Sequence, residues 1–254
     1  MNPASGAMVV PYCGPAPAPA DLWSGWNLDP ALLAVLGLVA LAGSIGTGRA
    51  GRSQRGAFMF GWVMLAVAFV SPLCALASAL FSARIAHHLV LVGVAAPALA
   101  WVLAAPARRA PPAGLAVAAH VAVFWLWHAP VPYAAALSHD GVYWVMELSL
   151  LGTALAFWWA VFARRHDPVA FLTLGLSAMV PMGLLGALLV FAPSPLYADH
   201  LATTIPWGLT PLEDQQLAGL VMWVPGSLPW LAVFVAGIAA WFRAGLAAPD
   251  RGRA

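Results

Sequence analysis

The sequence predicts an all-α membrane protein, a seven-transmembrane helix bundle. Of its 254 residues, 63% are hydrophobic and 8% are charged, whereas a soluble domain has roughly 25% charged residues. The mean hydropathy is +0.86. A helix that spans a bilayer needs about 20 mostly apolar residues. Seven runs approach or exceed that length: residues 28–45, 57–81, 85–105, 112–129, 141–163, 169–191 and 217–242.

The runs differ in length and regularity. The first and fourth are short, and such spans tilt less or thin the bilayer locally. Several of the others contain prolines, which are expected to kink helices in a way that neighbouring membrane helices tolerate. These prolines are Pro72, Pro97, Pro181, Pro225 and Pro229.

The runs divide the chain into three parts. Residues 1–27 are predicted to be a flexible, Pro/Ala-rich periplasmic arm, residues 28–243 the transmembrane domain, and residues 244–254 a short cytoplasmic tail. The alternation of Pro and Ala in the arm indicates an extended conformation. The arm lacks the basic region and the long apolar core of a cleaved signal peptide.

The arginines predict how the bundle is oriented. The chain has no lysine, and ten of its 11 basic residues fall on one side if seven spans alternate. Basic residues accumulate on the cytoplasmic side of membrane proteins, so the N-terminus is expected outside and the C-terminus in the cytoplasm. Only Arg84 falls on the outer side. The other ten are Arg49, Arg52, Arg55, Arg108, Arg109, Arg164, Arg165, Arg243, Arg251 and Arg253.

Several polar and sulfur-containing residues share one depth in the membrane. At 1.5 Å of rise per residue, they fall in the outer half of their spans, where they could line one cavity open to the outside. A charged side chain at mid-bilayer costs roughly 2.5–3.5 kcal/mol on insertion scales, so Glu147 is not expected to face lipid. It is instead protonated, paired with Arg84 or a histidine, or bound to a metal. The candidate ligands are His87, His88, His128, Glu147 and Met222.

The chemistry of these side chains favours copper. Imidazole and thioether groups suit copper, and thioether especially suits Cu(I), whereas calcium and magnesium require a richer shell of carboxylate and carbonyl oxygens. Structural explanations are open for each residue. His87 and His88 could bond lipid headgroups, His128 could cap a helix end in the aromatic belt, and Met222 could be core packing.

The two cysteines, Cys13 and Cys74, lie far apart in the sequence. A disulfide between them is possible, but the spacing shows no disulfide framework. Cys74 is interpreted as a small buried apolar residue. Cys13 is interpreted as a thiol on the mobile arm that assists metal handling.

Three segments together resemble one known family. They are FSARIAHHLVLVGVAAPAL, FWLWHAPVPYAAALSHDGVYWVMELSLLGTALAFWW and GLTPLEDQQLAGLVMWVPGSL, and VSPLCALASALF and NLDP fit the same pattern. They are similar to the CtaG-like family, seven-helix cytochrome c oxidase assembly factors of the bacterial plasma membrane. The resemblance covers residues 23–242 and implies a role in maturing the oxidase by supplying or handling copper.

The resemblance carries over a set of site residues and also shows two departures. Many members have a histidine where Arg84 stands, and members commonly place a histidine near Glu147, where VMELS has none. Either His87 and Glu147 substitute as ligands, or Arg84 and Glu147 form an ion pair in place of a metal site. The residues carried over are His88, His128, Asp214, Gln215, Gln216 and Met222.

These observations predict an assembly factor that holds Cu(I) at the outer face and passes it to an oxidase subunit by ligand exchange. Its expected partners are cytochrome c oxidase subunits, the lipid bilayer and periplasmic copper chaperones. The alternatives are a copper permease, which needs ligands through the inner half, a haem carrier using His88 and His128, and a non-metal scaffold.

A net charge of +2 does not indicate nucleic-acid binding. The chain has no nucleotide-binding fingerprint or paired nucleophile and base, so an enzyme is not expected.

Overall fold

The computed structural model describes residues 10–48, 50–104 and 109–247, and these ranges contain helices and no strand. Arg49, Arg108, Arg251 and Arg253, residues 1–9 of the predicted arm and residues 248–254 of the predicted tail lie outside the described residues. The helices are α1 Pro30–Thr47, α2 Arg52–Val70, α3 Pro72–Ala79, α4 Phe81–Leu89, α5 Ala96–Leu103, α6 Ala113–Trp127, α7 Pro130–Ser138, α8 Asp140–Ala163, α9 Pro168–Phe191, α10 Pro211–Trp223 and α11 Leu228–Ala247.

The predicted fold class is confirmed. Six helices of the described chain are long and apolar enough to cross a membrane, and a seventh span is present if the bent pair α6 and α7 is one span. A π-helical turn, Val90–Ala95, joins α4 and α5 into the single span Phe81–Leu103. A short 3-10 turn, Pro225–Ser227, joins α10 and α11.

Prolines set the ends of two of the predicted spans. The predicted second span, residues 57–81, stops at Val70, because Ser71 is extended (φ −73°, ψ 167°) and Pro72 begins the separate helix α3. Proline has no N–H to donate and clashes with the preceding turn, so it starts a helix readily but does not continue one. Pro130 acts in the same way, and α7 leaves α6 at an angle of 72°.

Glycines bring α9 and α10 into close contact. A Cβ atom added at Gly219 would lie 2.6 Å from the Gly186 carbonyl oxygen, a separation that no side chain can adopt without a backbone shift. The two helices therefore pack backbone against backbone. α10 also packs along α4, so this contact fixes α10 against the helix that carries Arg84, His87 and His88.

Cys13 and Cys74 form a disulfide, which the sequence spacing did not indicate. The chain crosses the bundle in α1 and returns in α2, so two cysteines 61 residues apart meet at the same end. The interpretation of Cys74 as a lone apolar residue and of Cys13 as a mobile thiol is therefore wrong. Both sulfurs are bonded, and the two side chains are buried.

The described part of the predicted arm lies on the bundle. The Tyr12 ring stacks on Tyr143 of α8 with the centroids 4.9 Å apart, and the Trp207 indole N–H donates to the Pro17 carbonyl at 3.0 Å. Asn27 donates its backbone N–H to the Val70 carbonyl at 3.0 Å. Residues 10–27 therefore cover one end of the bundle, which we call the disulfide end.

The described arginines separate between the two ends as the alternation of spans predicts. α8 begins near the disulfide, because Tyr143 contacts Cys74, and runs for 24 residues before Arg164 and Arg165. At 1.5 Å per residue this is about 36 Å. We call this opposite end the arginine end; it also carries Arg52, Arg55, Arg109 and Arg243, whereas Arg84 lies at the disulfide end.

Candidate functional site

Three of the predicted site residues contact the carboxylate of Glu147, and a fourth contacts one of these three. Arg84 Nη1 and His88 Nε2 lie 3.4 Å and 3.5 Å from Glu147 Oε1, and His87 Nε2 lies 3.5 Å from Glu147 Oε2. His128 Nε2 lies 3.2 Å from His88 Nδ1. Each of these side chains is at most 2% exposed. We call Arg84, His87, His88, His128 and Glu147 the Glu147 cluster.

The start of α4 positions three members of the cluster. The Asp214 carboxylate, on α10, accepts the backbone N–H groups of Phe81 at 2.7 Å and Ser82 at 3.2 Å, and also the Ser82 hydroxyl. The first N–H groups of a helix have no partner within it, and a carboxylate there also interacts favourably with the helix dipole. Asp214 therefore caps α4 from another helix. This contact fixes the positions of Arg84 and His87, which follow in α4.

The remaining residues of the predicted α10 motif have structural positions. Gln215 accepts the Leu196 backbone N–H at 2.7 Å through its side-chain oxygen, and so holds the connection between α9 and α10. Gln216 is half-buried. Met222 is buried against Gly186 of α9 and is not among the polar contacts of the Glu147 cluster.

Hydrogen bonds assign the tautomers of His128 and His88. His128 Nδ1 lies 2.6 Å from the Phe124 carbonyl oxygen. A carbonyl only accepts, so Nδ1 carries the proton, and Nε2 of a neutral His128 is an acceptor. His88 Nδ1–H then donates to His128 Nε2. This leaves the lone pair of a neutral His88 on Nε2, the nitrogen that faces Glu147.

The position between His88 Nε2 and Glu147 therefore requires a positive centre. A neutral imidazole lone pair and an ionised carboxylate oxygen, 3.5 Å apart, are both acceptors and repel one another. A proton on His88 or on Glu147 relieves that repulsion, and so does a metal cation. Ligating histidines characteristically donate their other ring N–H to a second group, and His88 does so to His128.

Several buried atoms of the cluster have no hydrogen-bond partner within the described chain. Buried polar atoms are nearly always satisfied in folded proteins, so this concentration of unsatisfied atoms is unusual. These atoms are His87 Nδ1 and Nε2, His88 Nε2, Glu147 Oε2, and Arg84 Nε and Nη2.

The donor atoms come near to a metal-binding arrangement without forming one. Ligands about 2 Å from a tetrahedral metal are about 3.3 Å apart, close to the 3.5 Å contacts between Glu147 and the two histidines. No group of three or more His, Cys, Asp or Glu in residues 10–48, 50–104 and 109–247 has the arrangement of a metal site. Arg84 also contacts the same carboxylate, as the ion-pair alternative predicts.

Aromatic residues that the sequence interpretation left out enclose the cluster. The Arg84 guanidinium carbon lies 5.5 Å from the centroid of the Tyr143 ring, and the Tyr143 hydroxyl lies 3.4 Å from Cys13 Sγ. The Tyr197 hydroxyl donates to the His128 carbonyl at 2.6 Å. Tyr143 precedes Glu147 by four residues and so shares its helix face, a signal that was available in the sequence.

His200, in a 3-10 turn between α9 and α10, is buried at this end. Its Nδ1 lies 3.2 Å from the Ala79 carbonyl and its Nε2 lies 2.7 Å from the Tyr133 hydroxyl. The carbonyl requires a proton on Nδ1, so Tyr133 donates to Nε2. Burial lowers the pKa of His200 to about 4, because a charged imidazole would lose its hydration.

The fold and the site define a multi-pass helical membrane protein that encloses a buried ionic and imidazole cluster near one end. The family model for the cytochrome c oxidase caa3 assembly factor, Caa3_CtaG, matches residues 32–116 and 110–244, and the chain belongs to this family. The resemblance found in the sequence is thereby confirmed. No curated protein and no solved structure shows significant similarity to the chain.

Proposed function

We propose that this assembly factor holds one Cu(I) ion at the Glu147 cluster and passes it to an oxidase subunit. The observation that carries the proposal is the set of three buried donor atoms, His87 Nε2, His88 Nε2 and Glu147 Oε2, that lack hydrogen-bond partners in the described chain. They lie in the same half of the bundle, around one carboxylate. Imidazole nitrogens are good ligands for copper.

The members of the cluster have separate roles in this proposal. His88 binds the ion through Nε2, and His128 holds the ring by accepting its other N–H. His87 supplies a second imidazole, and Glu147 supplies an anionic oxygen. His128 is a positioning residue rather than a ligand, because both of its nitrogens are engaged. Met222 remains a packing residue.

Arg84 makes the proposed site exchangeable. Its guanidinium contacts Glu147 Oε1 at 3.4 Å and so competes with the ion for the carboxylate. When Cu(I) moves to better ligands on the partner, the Arg84–Glu147 pair neutralises the buried charge that remains. A site with such an internal competitor suits transfer better than permanent storage.

Two features support placing the cluster on the outer side of the bacterial plasma membrane. The arginine-rich end is expected in the cytoplasm. The Cys13–Cys74 disulfide lies at the other end, and disulfides persist in oxidising compartments such as the periplasm. The cluster near the disulfide would then face the compartment in which periplasmic copper chaperones act.

The non-metal scaffold is the second candidate, and the Arg84–Glu147 contact favours it. In that case the cluster only holds the helices in place while the protein binds an oxidase subunit. The permease is less well supported. Deeper in the bundle, His120 has one side-chain hydrogen-bond partner in the described chain, Thr153 Oγ1 at 3.5 Å, and a hydroxyl is not a ligand that suits copper.

The test is copper retention after anaerobic Cu(I) loading and desalting of the purified protein. We expect about one copper per chain in the wild type and none in the His87→Ala/His88→Ala variant. His120→Ala is the matched control, because it removes another buried imidazole outside the cluster, and it should retain copper. A well-folded wild type that retains no copper would reject metal transfer and leave the scaffold function.

A further inference from the structure

A cavity of about 460 Å³ opens at the arginine end of the bundle. Its walls are mostly apolar and come from α5, α8, α9 and α11. Two basic residues, Arg165 and His166, stand among the lining residues. The other lining residues are Trp101, Phe162, Phe171, Val233, Ala236, Gly237, Ala240 and Trp241. Neither the Glu147 cluster nor the proposed copper transfer uses this cavity.

Arg165 is held at the cavity by three contacts. Its Nη1 donates to the Phe162 carbonyl at 2.9 Å, and its own carbonyl accepts the Trp241 indole N–H at 2.8 Å. Its guanidinium carbon lies 5.6 Å from the centroid of the Trp101 ring. A guanidinium has five N–H donors, and the bond to Phe162 uses one of them. The group is thus positioned with donors available for an anion.

The depth of the cavity matches the boundary between hydrocarbon and water. α8 is 24 residues long, or about 36 Å, whereas the hydrocarbon core is about 30 Å thick. Arg165, which follows α8, therefore lies at headgroup level, and the apolar walls formed by α11 extend below it. A cation above an apolar cavity is complementary to a phosphate above an acyl chain.

We propose that this cavity binds an anionic phospholipid. The phosphate contacts Arg165 and His166, and one acyl chain occupies the apolar cavity that α5, α8, α9 and α11 line. The volume is within the usual range of ligand cavities, about 300–1,000 Å³. Basic pockets between transmembrane helices bind anionic headgroups, and guanidinium bonds to phosphate are strong because both groups are charged. The site is independent of copper binding.

The test is native mass spectrometry of the purified full chain in a mild detergent. Dioleoyl phosphatidylglycerol, dioleoyl phosphatidylcholine and inorganic phosphate are added separately at matched concentrations. We expect the anionic lipid to be retained more than the neutral one, and Arg165→Gln to weaken its binding about fivefold, the effect of one basic residue. Arg165→Lys keeps the charge and should keep the preference.

Two further variants separate the headgroup from the acyl chain. Arg164→Gln is the matched charge control, because Arg164 is adjacent but donates to the Ala160 carbonyl at 2.9 Å and does not line the cavity; it should leave binding unchanged. Ala240→Leu fills the cavity and should weaken both lipids. Equal retention of the two lipids by the wild type, an unchanged Arg165→Gln variant, or displacement of the lipid by inorganic phosphate would overturn the proposal.

Discussion

The two ends of the bundle treat charged and polar side chains differently. At the disulfide end, a group of them is buried and its members contact one another or a distant helix, as in the Glu147 cluster and in the Asp214 cap on α4. At the arginine end, Arg164, Arg165 and Arg243 each bond a backbone carbonyl three or four residues earlier and remain partly or fully exposed. Because burying a charge requires specific partners, the buried groups at the disulfide end depend on tertiary contacts, whereas the hydrogen bonds of these three arginine side chains are local.

The comparison predicts that changes at the disulfide end are the most destabilising. Glu147→Ala leaves the buried Arg84 unpaired, and removing one partner of a buried ion pair costs about 3–5 kcal/mol. The measurement is the thermal unfolding temperature in detergent.

A double variant separates stability from function in the same cluster. Arg84→Met/Glu147→Leu replaces both charges by apolar groups, which is often neutral or stabilising, so it should fold as well as the wild type yet retain no copper. A double variant that still retains copper would contradict Glu147 as a ligand.

Asp214→Ala should have the next largest effect. It removes the acceptor for two backbone N–H groups and one hydroxyl at the buried start of α4, and leaving buried donors without a partner costs about 1–3 kcal/mol. The same unfolding measurement applies.

Asp29→Ala is the matched control for the cap on α4. Asp29 caps its own helix by accepting the N–H groups of Ala31 and Leu32, and loss of a local cap costs about 1 kcal/mol. Equal losses in the two variants would show that the contact between α10 and α4 adds nothing beyond local capping.

A change of pH, rather than of sequence, should act on stability at the disulfide end through His200. Its pKa in the folded protein, about 4, is below the ordinary value of 6.5, so the unfolded chain takes up a proton first as the pH falls. The contribution of neutral His200 to the free energy of unfolding is therefore complete above about pH 6.5. This contribution is lost as the pH falls from there to about pH 4. From pH 7.5 to pH 5 the loss is about 2 kcal/mol.

The His200→Gln variant tests this assignment, because glutamine does not titrate in this range. Its unfolding temperature should fall less than that of the wild type between the two pH values. Parallel decreases in the two proteins would assign the pH dependence to other groups.

The sequence predicted the features that follow from composition and helical periodicity. Apolar length located the spans, and the cost of a buried charge indicated that Glu147 has a partner such as Arg84 or a histidine. A kink was expected at Pro72, but the structure has a complete break at Ser71–Pro72, which the apolar run that continues through it does not indicate.

Contacts between distant segments were beyond what the sequence could predict. The disulfide forms because the chain crosses the bundle in α1 and returns in α2, which brings Cys74 beside Cys13 in the arm. The cap on α4 depends on Asp214 of α10. The proposed distinction between His88 as a ligand and His128 as its positioning residue depends on which nitrogen faces the Phe124 carbonyl. Neither spacing nor composition records that orientation.

The most direct test of the central claim is X-ray absorption at the copper edge of the Cu(I)-loaded wild-type protein with its disulfide intact. The account predicts a copper ion bound by imidazole nitrogen, with oxygen and no sulfur among its nearest atoms, because His87, His88 and Glu147 supply the donors. A sulfur-containing site would contradict the account by assigning the ion to Met222 or to the cysteines.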